Sequence, residues 1–237
     1  MGVGQPKNNN PCVQSCIQRY LKAMVAWLQK RPQVSDPTMY YSIGLNKTVL
    51  VVGLGNPGEK YEKTRHNVGF LCVDSFVDGN DSLSGWTEKK NFKCTMASGQ
   101  VADKQVIVIK PQTYMNKSGE AVIAVANFYN LTAADIVVIH DELDINFGQI
   151  RIRRGGSSAG HNGVSSISQQ IGEDYQRIRV GIGPKRSNMK SEDYVLQNFS
   201  SDESGQLRNM TREVSAILSE YIYGSGDLVA ETRNYLL

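Results

Sequence analysis

An unbroken apolar run, Val49 to Val52, closed by Gly53, Gly55, Pro57 and Gly58, constrains this chain more than any other stretch. A strand with no polar alternation is buried on both faces, which requires a parallel sheet covered by a layer on each side. From Asn67 the pattern changes: Val68, Phe70, Leu71, Val73, Phe76 and Val77 give a helix. Asn56 and His66 therefore lie on the connection leaving a strand, the place where open α/β sheets bind their ligands.

The rest of the chain agrees with that class. Strands are expected near 48–52, 92–98, 105–110, 136–140, 148–153 and 176–182, and helices near 67–78, 117–129, 161–171 and 202–222. This interleaving predicts a single α/β domain over 48–237, a mixed, mostly parallel twisted sheet with helices on both faces. Residues 1–47 read as an N-terminal extension with six Lys/Arg against one acid, Asp36. Within it, Val13, Ile17, Tyr20, Leu21, Met24, Trp27 and Leu28 recur at helical spacing, predicting an amphipathic helix over 13–29. A basic amphipathic start resembles a mitochondrial or other organellar transit segment; a helix packing on the domain, or a spacer in a cytoplasmic protein, fits equally. No apolar run reaches the ~18 residues of a membrane span, so no membrane partner is expected. Cys12, Cys16, Cys72 and Cys94 lack metal-binding spacing and read as free thiols. Eight Lys/Arg against Glu173 and Asp174 over 149–190, Arg151, Arg153, Arg154, Arg177 and Arg179 among them, mark a candidate polyanion surface.

Three sets of residues could carry chemistry. Gly53, Gly55 and Gly58 satisfy GxGxxG after a strand, but Pro57 removes a backbone donor and no acidic residue ends a second strand at the required distance. A nucleotide-binding oxidoreductase is thus disfavoured. The three histidines, His66, His140 and His161, each fall at a predicted junction beside Asn or Asp, with no HxH or HxxxH pair for a metal. Asp141 could hold the imidazole of His66 in one tautomer, making a base and its orienter. Asn56, Asn116 and Asn162 each precede a helix, where an asparagine is ordinarily a cap. Grouped with a histidine and a carboxylate, their amides suit a carbonyl and its tetrahedral oxyanion. There is no nucleophile elbow, so water is the expected nucleophile.

Taken in order, VVGLGNPGEKYEKTRHNVGF, PQTYMNKSG, HDELD, GHNGV and RVGIG resemble the bacterial-type peptidyl-tRNA hydrolases over about residues 48–222. The resemblance implies a monomeric hydrolase, without metal or cofactor, that cleaves the ester between a peptide and the 3′ ribose of tRNA and so recycles tRNA from stalled translation. It implies His66 as general base and Asp141 as its partner, with Asn56 and Asn116 placing the carbonyl and stabilising the oxyanion. Tyr61 and Met115 would line the site, and Asn162 and His161 would sit at the substrate, Asn162 holding water and the 3′ CCA end. Arg153 and Arg179, flanked by Arg151 and Arg154, match positions that grip acceptor-stem phosphates. Two departures stand out. Ser158 and Ala159 replace smaller or freer residues before His161, and Ser165 and Ser166 replace a basic residue, which Arg154 would compensate. An RNA-binding protein on the same fold without useful catalysis, as in intron-splicing relatives, is the alternative from another class.

Overall fold

The computed structural model describes residues 47–185, 188–224 and 227–236. The expected helix over 13–29, and with it Cys12 and Cys16, lies outside the described residues. Among the described residues, eight strands form one sheet: β1 Lys47–Gly53, β2 Thr87–Lys89, β3 Cys94–Val101, β4 Lys104–Pro111, β5 Ile136–Asn146, β6 Gln149–Arg154, β7 Gln176–Gly183 and β8 Thr232–Asn234. Their order is β2-β3-β4-β1-β5-β7-β6-β8. The four central strands, β4, β1, β5 and β7, run parallel. An antiparallel pair flanks them on each side. The helices are α1 Val68–Asp78, α2 Ser118–Tyr129, α3 Asn162–Ile171, α4 Ser191–Val195 and α5 Ser201–Tyr223.

The alternation of side chains along β1 explains why both faces need cover. Val49 and Val51 pack with Val106, Val108, Val137 and Ile139 under α1 and α5. Leu50 and Val52 pack with Ile107, Ile109, Ile136 and Val138 under α2 and α3. In α1, Val68, Gly69, Cys72, Val73, Phe76 and Val77 are buried, a stripe at helical spacing. Cys72 and Cys94 are buried free thiols. Burial raises both, Cys94 to about 12 against an opposing pull from Lys89.

Differences from the sequence reading have local causes. Residues 90–92 form a 3-10 turn, so β3 begins only at Cys94. The edge strands β2 and β8 are three residues each, too short to show a period. β5 does not stop at residue 140 but continues through Asp141 and Glu142, which pair with Val180 and Gly181 of β7. Two acidic side chains mid-strand look unlike a strand in sequence; here each finds a cationic or hydrogen-bonding partner. After β1 no helix opens at the glycines. The chain instead makes 3-10 turns at Glu59–Tyr61 and Arg65–Asn67 before α1, unlike a dinucleotide fold.

The second of those turns is anchored to the start of α5. The Arg65 guanidinium donates to the Asn198 carbonyl at 2.6 Å and pairs with Glu203 at 2.7 Å. Glu203 also closes the capping box of α5 with Ser200. On the other side α1 lies against the end of β1. A Cβ on Gly69 would come within 2.4 Å of the Leu54 nitrogen and 2.5 Å of the Ile139 carbonyl oxygen. Because both obstacles are backbone, Gly69→Ala is expected to cost about 1–3 kcal/mol or more, as overpacking does, read as a lowered midpoint in urea unfolding. A midpoint equal to wild type would show that α1 is free to move away from β1.

Candidate active site

Where β5 continues past the end of β1 while still paired with β7, the 3-10 turn before α1 and the N-terminus of α3 converge on Asp141. Asp141 is 2% exposed. Its Oδ1 accepts from His66 Nδ1 at 2.8 Å and from His161 Nε2 at 2.9 Å. A carboxylate can only accept, so the proton in each bond sits on the ring nitrogen. His66 is thereby fixed as the Nδ1–H tautomer, leaving the Nε2 lone pair free. The backbone N–H groups of Gly163 and Val164 donate to His161 Nδ1 at 3.1 and 3.3 Å, so that ring carries its proton on Nε2. Burial drives the Asp141 carboxyl up, but the facing His66 and His161 outweigh it and hold it well below the usual carboxylate range.

His66, Asp141, Glu142, Leu143, Ala159, Gly160, His161, Asn162, Ser191, Glu192 and Val195 line a cavity of about 150 Å³. Four sequence-predicted residues, His66, Asp141, His161 and Asn162, thus meet around one space. Ala159 turns the chain here with φ of 49°, the left-handed conformation that the sequence departure at this loop makes costly for a residue with a Cβ.

Asn56 opens instead onto a neighbouring cavity of about 340 Å³, beside Asn67, Phe70 and Thr95. Its amide orientation is set by the Met115 N–H, which donates to Asn56 Oδ1 at 2.8 Å, leaving Nδ2 as the free end. Asn67 was missed in the sequence. Its side chain bonds both the N–H and the C=O of Asn56, each at 2.9 Å, and so ties the two ends of the glycine-rich connection together. An asparagine immediately after the candidate base was the only signal. Asn116 is exposed, at the 3-10 turn Met115–Lys117, with no hydrogen-bond partner for its amide among the described residues.

Other expectations change. Met115 is buried, not lining: its sulfur packs at Gly163 beside Leu54, where a Cβ would come within 2.5 Å of it. Tyr61 lines neither cavity; it lies in the first 3-10 turn under the Lys60 ammonium. Of the helix starts, α3 is capped by His161, not by Asn162.

The basic surface follows from strand alternation. Ile150 and Ile152 of β6 are buried while Arg151 and Arg153 are exposed. Register puts Arg151 opposite Arg179 and Arg153 opposite Arg177 on the same face. Arg179 pairs with Glu142 at 2.8 Å. Arg177 is buried, donating to the Ser157 carbonyl and lying over the Tyr175 ring. Arg154 departs from the expected role, since Asp174 binds it at 2.7 and 3.0 Å and Asp227 also faces it. Arg151 and Arg153 have no ion-pair partner among the described residues.

His66, Asp141 and His161 could together offer three ligand atoms to a metal ion. The His161 ring opposes this: both its nitrogens would have to be unprotonated, one toward the backbone N–H donors and one toward the ion. The cluster suits protons.

His140, behind this cluster, is held neutral. Its Nδ1–H donates to the Asp141 carbonyl at 2.8 Å. Burial, then His161, depress it from 6.5 to about 3 against the pull of Asp141. A depressed histidine stays neutral in the fold while the unfolded chain takes up a proton. Its contribution is therefore complete above pH 6.5 and is lost as pH falls toward 3. In urea unfolding across that window, His140→Asn, which keeps the donor, should remove up to about 1.4 kcal/mol per pH unit of slope; an unchanged slope would mean that His140 is not kept neutral.

The sequence model of the family described as peptidyl-tRNA hydrolase matches residues 50–234. The peptidyl-tRNA hydrolase of Rickettsia felis is 46% identical over 155 residues, covering 65% of this chain and 83% of its own. That of Rickettsia akari is 40% identical over 185 residues, covering 78% and 95%. The crystal structure of peptidyl-tRNA hydrolase from Acinetobacter baumannii superposes with a TM-score of 0.71 at 33% identity, covering 76% of this chain and 91% of that one. With the buried His66–Asp141 pair and the order of strands and helices already in hand, these matches over most of the chain's length mean that it belongs to the peptidyl-tRNA hydrolase family.

Proposed function

We propose that this protein hydrolyses peptidyl-tRNA, using His66 as general base on a water molecule. The observation that carries the mechanism is the 2.8 Å bond from His66 Nδ1 to Asp141, which leaves Nε2 as the ring's basic atom at the cavity. Water loses a proton to Nε2 as its oxygen bonds to the ester carbonyl carbon. The carbonyl oxygen becomes an oxyanion, for which the free amide groups of Asn56 and Asn116 are donors. Collapse breaks the bond to the ribose 3′ oxygen, and the proton held on His66 passes to that leaving oxygen. The peptide leaves as a carboxylic acid, which gives its remaining proton to bulk water and becomes the carboxylate. Asp141 stabilises the imidazolium that forms between the two transfers. Asn162, on the rim of the cavity, is placed to hold water and the 3′ CCA end.

The acceptor stem is read through phosphate. Arg151 and Arg153 present guanidinium groups with no ion-pair partner among the described residues, and Arg179 lies across the ladder from Arg151, paired with Glu142. Such contacts position an RNA without reading its sequence. The basic segment 1–47 supports an organellar site of action.

Two measurements test this reading. Release of N-acetyl-aminoacyl groups from tRNA should fall about 10²–10⁴-fold in His66→Ala, the usual worth of a general base, with tRNA affinity retained; undiminished turnover would remove His66 from the mechanism. In salt titrations of tRNA binding, Arg153→Ala should lower the log–log slope by about 0.7–0.9, one phosphate contact. Arg154→Ala, whose charge is already answered by Asp174, should leave the slope in place. Equal effects of the two variants would refute the assignment of the contact to Arg153.

A further inference from the structure

We infer that His161 is a positioning residue: it holds the Asp141 carboxylate that orients the His66 base, and its ring nitrogens make no hydrogen bond to the substrate. The inference rests on the hydrolase reading above and assigns a link in it. Both polar atoms of the His161 ring are already committed. Nδ1 takes the Gly163 and Val164 N–H groups, and Nε2–H is given to Asp141 Oδ1 at 2.9 Å. The side chain is 7% exposed. It is wedged between the rings of His66 and His140, each with centroids 4.9 Å away. No donor or acceptor remains for a ribose hydroxyl or a peptide group.

The choice of residue supports a second duty. Asn, Asp, Ser or Thr caps a helix better than histidine, but their side chains are too short to cap α3 and also reach across to β5. An imidazole has polar atoms on opposite sides of a rigid ring. It joins the α3 N-terminus to the carboxylate and fixes its own tautomer in doing so. Other charged or titratable groups at this cluster are His140 and Glu142 from β5, His66 from the turn before α1, and Glu192 from α4; Arg177 lies beyond His140.

Asp141 Oδ1 divides its negative charge between two donors. Without the donor from His161, the carboxylate would hold an imidazolium at His66 more strongly. Activity that depends on neutral His66 would then fail at a higher pH. His161→Asn separates the two duties, because asparagine caps α3 well and cannot reach Asp141. His161→Gln carries its amide NH₂ far enough to restore the donor.

The test follows hydrolysis of N-acetyl-aminoacyl-tRNA against pH, together with the proton NMR resonance of His66 Nδ1–H. For His161→Asn the expectation is a kcat lower by about 10- to 100-fold, the rate equivalent of one charge-assisted hydrogen bond. KM should be unchanged, the acid limb should move to higher pH, and the Nδ1–H resonance should move downfield. His161→Gln should recover most of kcat. Wild-type kcat in His161→Asn, or a loss expressed in KM with the acid limb and resonance unmoved, overturns the inference. The resonance needs no turnover and tests the link even in a variant of lowered stability. A wild type without esterase activity would instead defeat the hydrolase reading, with the link still decided by the resonance.

Discussion

One carboxylate oxygen, Asp141 Oδ1, accepts two imidazole N–H bonds at 2.8 and 2.9 Å inside the protein, and most of the site depends on that arrangement. A buried carboxylate without partners would be too costly to keep ionised. The two histidines supply those partners, and each is delivered by a different part of the fold: His66 by the turn that Arg65 locks to α5, His161 by the N-terminus of α3. Asp141 itself comes from a strand that runs past β1 while remaining paired with β7. The sheet, with helices on both faces, sets these elements at fixed distances. The tautomers then follow from hydrogen-bond bookkeeping.

Much of the fold could be read from residue type and period. The apolar run of β1 announced a covered, parallel centre, and the helical stripes at 68–78, 118–129 and 201–223 were plain because they repeat over several turns. The parts that escaped are those where tertiary partners override local signals. The extension of β5 through Asp141 and Glu142 is stabilised by pairing with β7 and by histidine and arginine side chains, none of them adjacent in sequence. The three-residue edge strands have no period to detect.

The site was legible in a different way. His66 and Asp141 stood out by chemistry and position, as did the resemblance that grouped them. What sequence could not convey was how side chains are spent. Met115 carries its weight through a backbone N–H that orients Asn56, while its sulfur fills the core beside Gly163. Among the described residues, the Asn67 side chain bonds the backbone of Asn56 alone. Arg154 is answered by Asp174, so a count of basic residues overstates the free positive charge of β6, which resides on Arg151 and Arg153. Such pairings depend on where long side chains end, which composition and spacing do not encode.

The tautomeric state of the two histidines on Asp141 is the most direct test. In protein labelled with ¹⁵N-histidine, long-range nitrogen–proton correlation at neutral pH should identify His66 as the Nδ1–H form and His161 as the Nε2–H form. Finding the His66 proton on Nε2, or the His161 proton on Nδ1, would contradict the shared-carboxylate account, because at least one of the two bonds to Asp141 could not then exist.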